Sequence, residues 1–186
     1  MKFGVVMDPI NSINFKKDSS LDILIEASRR GHDLFYMEPT SLHINHEGAL
    51  AEMYPIEVFK DPDKWFELET PAIKKLADLD VIMMRQDPPF DSDYIYNTYV
   101  LEAAEKQGVK VINSPRSLRD CNEKVFATEF PQCCTPFLVA SKQSLLRDFI
   151  SSHKDTVIKP LDGMGGTSIF RLREGDPNIA VVLETI

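Results

Sequence analysis

Positive charge is scarce in this chain. Against 29 Asp and Glu residues stand only 21 Lys and Arg, giving a formal net charge of −8 over 186 residues. General binding to nucleic acid or to an anionic membrane needs a basic face, so this balance argues against both as partners. A local basic pocket for an anionic metabolite stays open. Cysteine is sparse as well: Cys121, Cys133 and Cys134 form neither a C-x-x-C pair nor an even disulfide framework. No cationic, apolar signal segment opens the chain, and no apolar run nears the ~20 residues a membrane span requires. A reducing cytoplasm is therefore expected. The histidines (His32, His43, His46, His153) are scattered, and His43 and His46 lack a third ligand at useful spacing, so no metal site is expected. Trp65 stands alone and reads as a packing residue.

What is present is alternation. Hydrophobic content of 43% and charged content of 27% describe a soluble globular protein of one large domain or one and a half ordinary ones. Lys2 to Met7 reads as a buried strand. Asp18 or Ser19 can cap a helix with Leu21, Leu24, Ile25 and Ser28 inward, ended by Gly31. Asp33 to Met37 is the next strand. Residues 38–70 carry a poor signal and predict a loop-rich excursion with one hairpin at most. A strand over 79–84 follows, then a helix capped by Ser92 with Tyr96, Tyr99, Val100, Ala103 and Ala104 on one face, closed by Gly108. Val109 to Ile112 completes the series, which predicts an α/β fold with a parallel sheet.

Ligands of such sheets bind beyond the carboxyl ends of the strands. Asp8, Arg85 and Asn113 follow strand ends and fall on one rim if the strands are parallel. Arg85 is the best anchor, because guanidinium grips a carboxylate in a two-pronged fashion. The competing reading of Arg85 is a surface ion pair with Asp87 or Asp91.

The alternation breaks near residue 122, where a domain boundary is placed, dividing 1–121 from 122–186. Asn122 can cap a new helix; a strand over 136–140 and a helix capped by Ser141, with Leu145, Leu146, Phe149 and Ile150 inward, come next. Two β-prone runs, Thr156 to Lys159 and Thr167 to Leu172, then flank a loop holding Gly163, Gly165 and Gly166. Glycines of this kind let a backbone lie against an anion. The loop is no P-loop, since no Gly-Lys-Ser/Thr ends it, and it lacks the G-x-G-x-x-G spacing of dinucleotide folds. It reads either as a hairpin with a glycine turn or as a nucleotide clamp, and Lys159 before an acidic, glycine-rich loop favours the clamp. In that reading Lys159 faces the cleft while Ile158 and Pro160 turn away into packing.

Several longer strings carry a resemblance. Val6-Met7-Asp8-Pro9-Ile10 with Lys17-Asp18-Ser19-Ser20, Met84-Arg85-Gln86-Asp87-Pro88-Pro89-Phe90-Asp91, Ser117-Leu118-Arg119-Asp120-Cys121-Asn122-Glu123-Lys124, and Lys159-Pro160-Leu161-Asp162-Gly163-Met164-Gly165-Gly166 resemble the bacterial glutathione synthetases of the ATP-grasp superfamily. The resemblance implies an N-terminal parallel-sheet (pre-ATP-grasp) substrate domain followed by the first part of an ATP-grasp domain. It implies ATP- and Mg²⁺-dependent ligation of glycine to γ-glutamylcysteine through an acyl phosphate, in a cytoplasmic homo-oligomer. Lys124 and Lys159 match the nucleotide-binding lysines, and Asp162, Gly163, Met164, Gly165 and Gly166 match the lid over the phosphates. Asp8, Ser19, Arg85 and Asn113 are the corresponding candidates for substrate. No catalytic residue and no Mg²⁺ ligand can be named in this sequence. Such enzymes run well past residue 186, so the chain is expected to be an incomplete fragment, not competent alone. The alternatives are another ATP-grasp carboxylate–amine ligase and a non-catalytic module that binds an anionic peptide. The Asp-Pro-Pro-Phe-Asp stretch favours the glutathione enzyme.

Overall fold

The apolar run at the start of the chain forms β1 (Lys2–Met7), with Val5 and Val6 fully shielded from solvent. Asp18 caps the helix that follows, α1 (Ser19–Arg29), by accepting the Leu21 N–H at 2.8 Å. A helix start leaves that amide without an internal partner. Leu21, Leu24 and Ala27 bury the inner face; Ser28, expected inward, is exposed. Gly31 takes the left-handed backbone (φ 75°) that ends the helix, and the chain returns as β2 (Asp33–Met37), parallel to β1.

The stretch expected to be loop-rich holds most of a second, antiparallel wing. β3 (His43–Asn45) leads into the 11-residue β4 (Gly48–Val58), and β5 (Phe66–Leu68) and β6 (Ala72–Lys75) follow. β4 runs antiparallel to β2, β3, β5 and β6. β7 (Val81–Arg85) then pairs parallel to β1, α2 (Ser92–Lys106) crosses over, and β8 (Lys110–Ile112) pairs parallel to β7. The order is β3-β4-β2-β1-β7-β8, with β5 and β6 on β4. The crossovers through α1 and α2 run outward in opposite directions, and right-handedness sets the helices on opposite faces. Val5, Met7, Leu24, Leu34, Tyr36, Ile56 and Met83 form a continuous core on one of them. Burying a side chain of this size contributes about 1.5–3 kcal/mol.

Asp91, one residue before Ser92, caps α2 by accepting the Tyr94 N–H at 2.9 Å. Tyr94, Thr98, Leu101 and Ala104 are buried, whereas Tyr96 and Tyr99, expected inward, are 62% and 49% exposed. Two residues on from Tyr94 is the far side of a helix with about 3.6 residues per turn. Tyr99 instead meets Arg119 of α3 (Pro115–Asp120), whose guanidinium lies 4.5 Å from its ring centre, 2.5 Å from Glu102 and 3.0 Å from the Thr98 hydroxyl.

The structure is a computed structural model describing residues 1–186, and these group into two compact units: 1–87 with 91–119, and 88–90 with 120–186. In the second unit Asn122 caps α4 (Glu123–Phe126), its oxygen accepting the N–H groups of Lys124 and Val125 at 3.0 and 3.2 Å. Residues 136–140, expected as a strand, have no strand partner. β-propensity makes the run extended, but a strand exists only against a neighbour. α5 (Gln143–His153) starts after Lys142 with no side-chain cap, so Ser141 does not cap it, and Leu145, expected inward, is 47% exposed. β9 (Asp155–Ile158) and β10 (Phe170–Arg173) form an antiparallel hairpin, and Arg171 grips Asp155 across it at 2.8 and 2.6 Å. With α6 (Ile179–Thr185) they enclose a small core of Ile150, Leu172, Val182 and Leu183.

Candidate functional site

In the first unit the parallel strands end on one rim. The registers Met7↔Arg85 and Met83↔Ile112 bring Asp8 after β1, Arg85 at the end of β7 and Asn113 after β8 to that side of the sheet. Arg85 forms no surface ion pair with Asp87 or Asp91. Its Nε donates to the Ser20 hydroxyl at 3.0 Å and a terminal nitrogen to the Ser19 hydroxyl at 3.1 Å, so the first turn of α1 holds the guanidinium. The Asp8 carboxylate accepts the Asp87 N–H at 2.6 Å. Burial, then the neighbouring Asp8 charge, pushes the Asp87 carboxyl up, against the pull of Arg85. Asn113 is exposed on the same rim and is not bonded to the others. Ser20 and Asp87 are not among the substrate candidates read from the sequence, although both stand in the strings that carry the family resemblance.

In the second unit a cleft of about 490 Å³ lies between α4, which supplies Glu123 and Lys124, and the loop after β9, which supplies Lys159 and Gly163 to Thr167. Lys159 and Pro160 both line it. Pro160 was expected to turn into packing; β9 ends at Ile158, so strand alternation no longer governs the residues beyond it. Ile158 does pack on the small core. Gly165 and Gly166 have φ of 63° and 83°, which other residues reach only with strain, while Gly163 does not need this freedom. Met164 lines the cleft. Asp162 does not; its carbonyl accepts the Phe90 N–H at 3.2 Å instead.

Lys124 reaches across to the loop. Its ammonium donates to the Gly163 carbonyl at 2.6 Å, the Glu123 carboxylate at 3.0 Å and the Leu161 carbonyl at 3.4 Å. The Asn122 amide adds a bond to Leu161 at 2.9 Å. An ammonium on each wall, with a loop whose left-handed glycines can turn amides to an anion, suits a polyphosphate chemically. No group of three or more His, Cys, Asp or Glu side chains is placed to hold a metal.

The unit that carries this lysine- and glycine-lined cleft matches an ATP-grasp domain. A solved D-cycloserine synthetase superposes with a TM-score of 0.61 over 99% of this chain and 54% of its own, at 13% identity. At that identity the likeness concerns the fold alone. The family model described as "Prokaryotic glutathione synthetase, N-terminal domain" matches residues 1–119, and that described as "Prokaryotic glutathione synthetase, ATP-grasp domain" matches residues 123–186. The chain belongs to the prokaryotic glutathione synthetase family. It is 57% identical over all 186 residues to the glutathione synthetase of Pseudomonas putida and 55% identical to that of Pseudomonas aeruginosa. It spans 59% of the length of each. No helix is long and apolar enough to cross a membrane.

Proposed function

We propose that the protein works as a glutathione synthetase, joining glycine to γ-glutamylcysteine at the expense of ATP. The observation that carries this reading is the match of both units, in order, to a single family. The cleft chemistry supports it. The cysteinyl carboxylate attacks the γ-phosphorus of ATP, the β–γ bond breaks and ADP leaves. The glycine amine then attacks the acyl phosphate, loses a proton, and releases inorganic phosphate. A carboxylate resists attack by an amine until one oxygen becomes a good leaving group, so phosphorylation has to come first.

In this proposal Lys124 and Lys159 offset the charge of the transferring phosphate, where electrostatic stabilisation contributes most. Gly163, Met164, Gly165 and Gly166 cover it, and Asp162 anchors the loop through its carbonyl. Mg²⁺ would neutralise phosphate oxygens when bound with ATP; its protein ligands are not among these residues. On the rim, Arg85 with Ser19 and Ser20 takes a substrate carboxylate. A γ-linked glutamyl group keeps its α-carboxylate and α-ammonium on one carbon, so it needs an anion beside the cation, and Asp8 and Asp87 supply it. Asn113 is a further polar group on that rim. The work takes place in the cytoplasm, by a homo-oligomer. Steady-state assay of the intact gene product with γ-glutamylcysteine, glycine and ATP tests the reading. Glycine-dependent ADP release is expected, and turnover only with a different acceptor amine would replace it with another ligase.

A further inference from the structure

The Lys124 ammonium has three N–H donors, and all are engaged: by Gly163, by Glu123 and, more weakly at 3.4 Å, by Leu161. A phosphate oxygen can reach this lysine only if one partner gives way. The three are not equivalent. Gly163 belongs to the loop and holds the shortest bond, 2.6 Å. Leu161 does not line the cleft, so the donor pointing at it faces away from an incoming ligand. Glu123 does line the cleft, and its side chain is 70% exposed while that of Lys124 is 19% exposed. It is the one partner that carries the charge of the ligand and is free to swing into solvent.

We propose that Glu123 is a positioning residue acting through Lys124: it holds the ammonium against the loop until a nucleotide phosphate takes its place on the same nitrogen. Gly163 stays bonded through the exchange, so the loop keeps its seat while the carboxylate leaves. The carboxylate competes with an incoming anion for the Lys124 ammonium, so it lowers the affinity of the cleft through that lysine.

This inference rests on the nucleotide reading of the cleft, and the test separates the two. Calorimetric Kd values for MgATP and for magnesium-free ADP are measured on the intact gene product carrying Glu123→Gln, Lys124→Gln or both. Glu123→Gln should bind both nucleotides about three- to fivefold tighter, the scale of removing an exposed charge pair. Its affinity should also fall more steeply with salt, because the cleft is then more positive. In the Lys124→Gln background the same change should have almost no effect. Unchanged affinity in Glu123→Gln, or an equal gain with and without Lys124, overturns the proposal. Weaker MgATP binding with unaltered ADP binding overturns it too, and would make Glu123 a metal ligand. If the unmodified protein binds neither nucleotide, the nucleotide reading falls and this proposal with it. Glu123→Gln melting at its usual temperature while Kd moves distinguishes the role from a structural one.

Discussion

Asn122 donates its side-chain amide to the Leu161 carbonyl at 2.9 Å while its side-chain oxygen caps α4, so one residue joins the first turn of a helix to the start of the glycine loop. The two halves of that side chain can be separated. Asn122→Asp keeps the capping oxygen and loses the donor, whereas Asn122→Ala loses both. A lost cap costs about 0.5–2 kcal/mol and a lost neutral hydrogen bond about 0.5–1.5 kcal/mol. We expect the alanine variant to melt clearly lower. The aspartate variant should melt between the alanine variant and the parent and exchange loop amides around 161–167 faster than the parent, as hydrogen-exchange mass spectrometry can read.

Lys159 lines the cleft without an ion pair, so its charge has no structural partner to lose. Lys159→Met should leave the melting temperature where it is and weaken ATP binding by roughly ten- to a hundredfold, the worth of a charge-assisted contact of about 1.5–3 kcal/mol. A variant that binds ATP like the parent would make this a surface lysine and the loop only a hairpin.

Arg85 is held by hydroxyls, not by a carboxylate, which leaves its charge available. Arg85→Ala in the intact gene product should raise the KM for γ-glutamylcysteine by roughly ten- to a hundredfold, again the worth of about 1.5–3 kcal/mol, with little change in ATP affinity. Equal losses toward both substrates in steady-state kinetics would point to a folding defect.

Asp87 gives a pH signature. Its carboxyl is raised from the ordinary 3.8 by burial and by Asp8, so the folded state holds the proton more tightly than the unfolded one. The stability this group contributes is present below pH 3.8 and is lost as pH rises through the folded value. Asp87→Asn should therefore gain melting temperature relative to the parent as pH climbs from 3.8. A constant offset across that range would show that Asp87 does not titrate as its surroundings imply.

Part of the local signal survived the passage from sequence to structure, although the caps expected at Ser92 and Ser141 and the inward places of Ser28, Tyr96, Tyr99 and Leu145 did not. The β1 run, the Asp18 cap and the left-handed Gly31 depend on neighbours within a few residues, and each is visible in the residues themselves. β4 is different, because its residues are mixed in polarity and its partners lie as far along the chain as Lys75. The 136–140 run failed in the opposite sense, having the composition of a strand and no partner. In the candidate site the same division holds. Arg85 and Lys159 could be picked out by type and position, but the Lys124–Gly163 bond joins residues 39 apart and appears only once the loop is folded.

The long strand β4 also determines how the sheet meets other molecules. A bare outer edge on β2 would present a row of free amides and carbonyls to any extended chain that passed. β4 covers that edge, and β3, β5 and β6 are laid against β4 in turn. The opposite end of the path is β8, three residues long and opened by the exposed Lys110. A ladder so short, with a charge at its start, gives an intruding strand too few bonds to hold, so the sheet is protected from growing by strand addition at its β8 end.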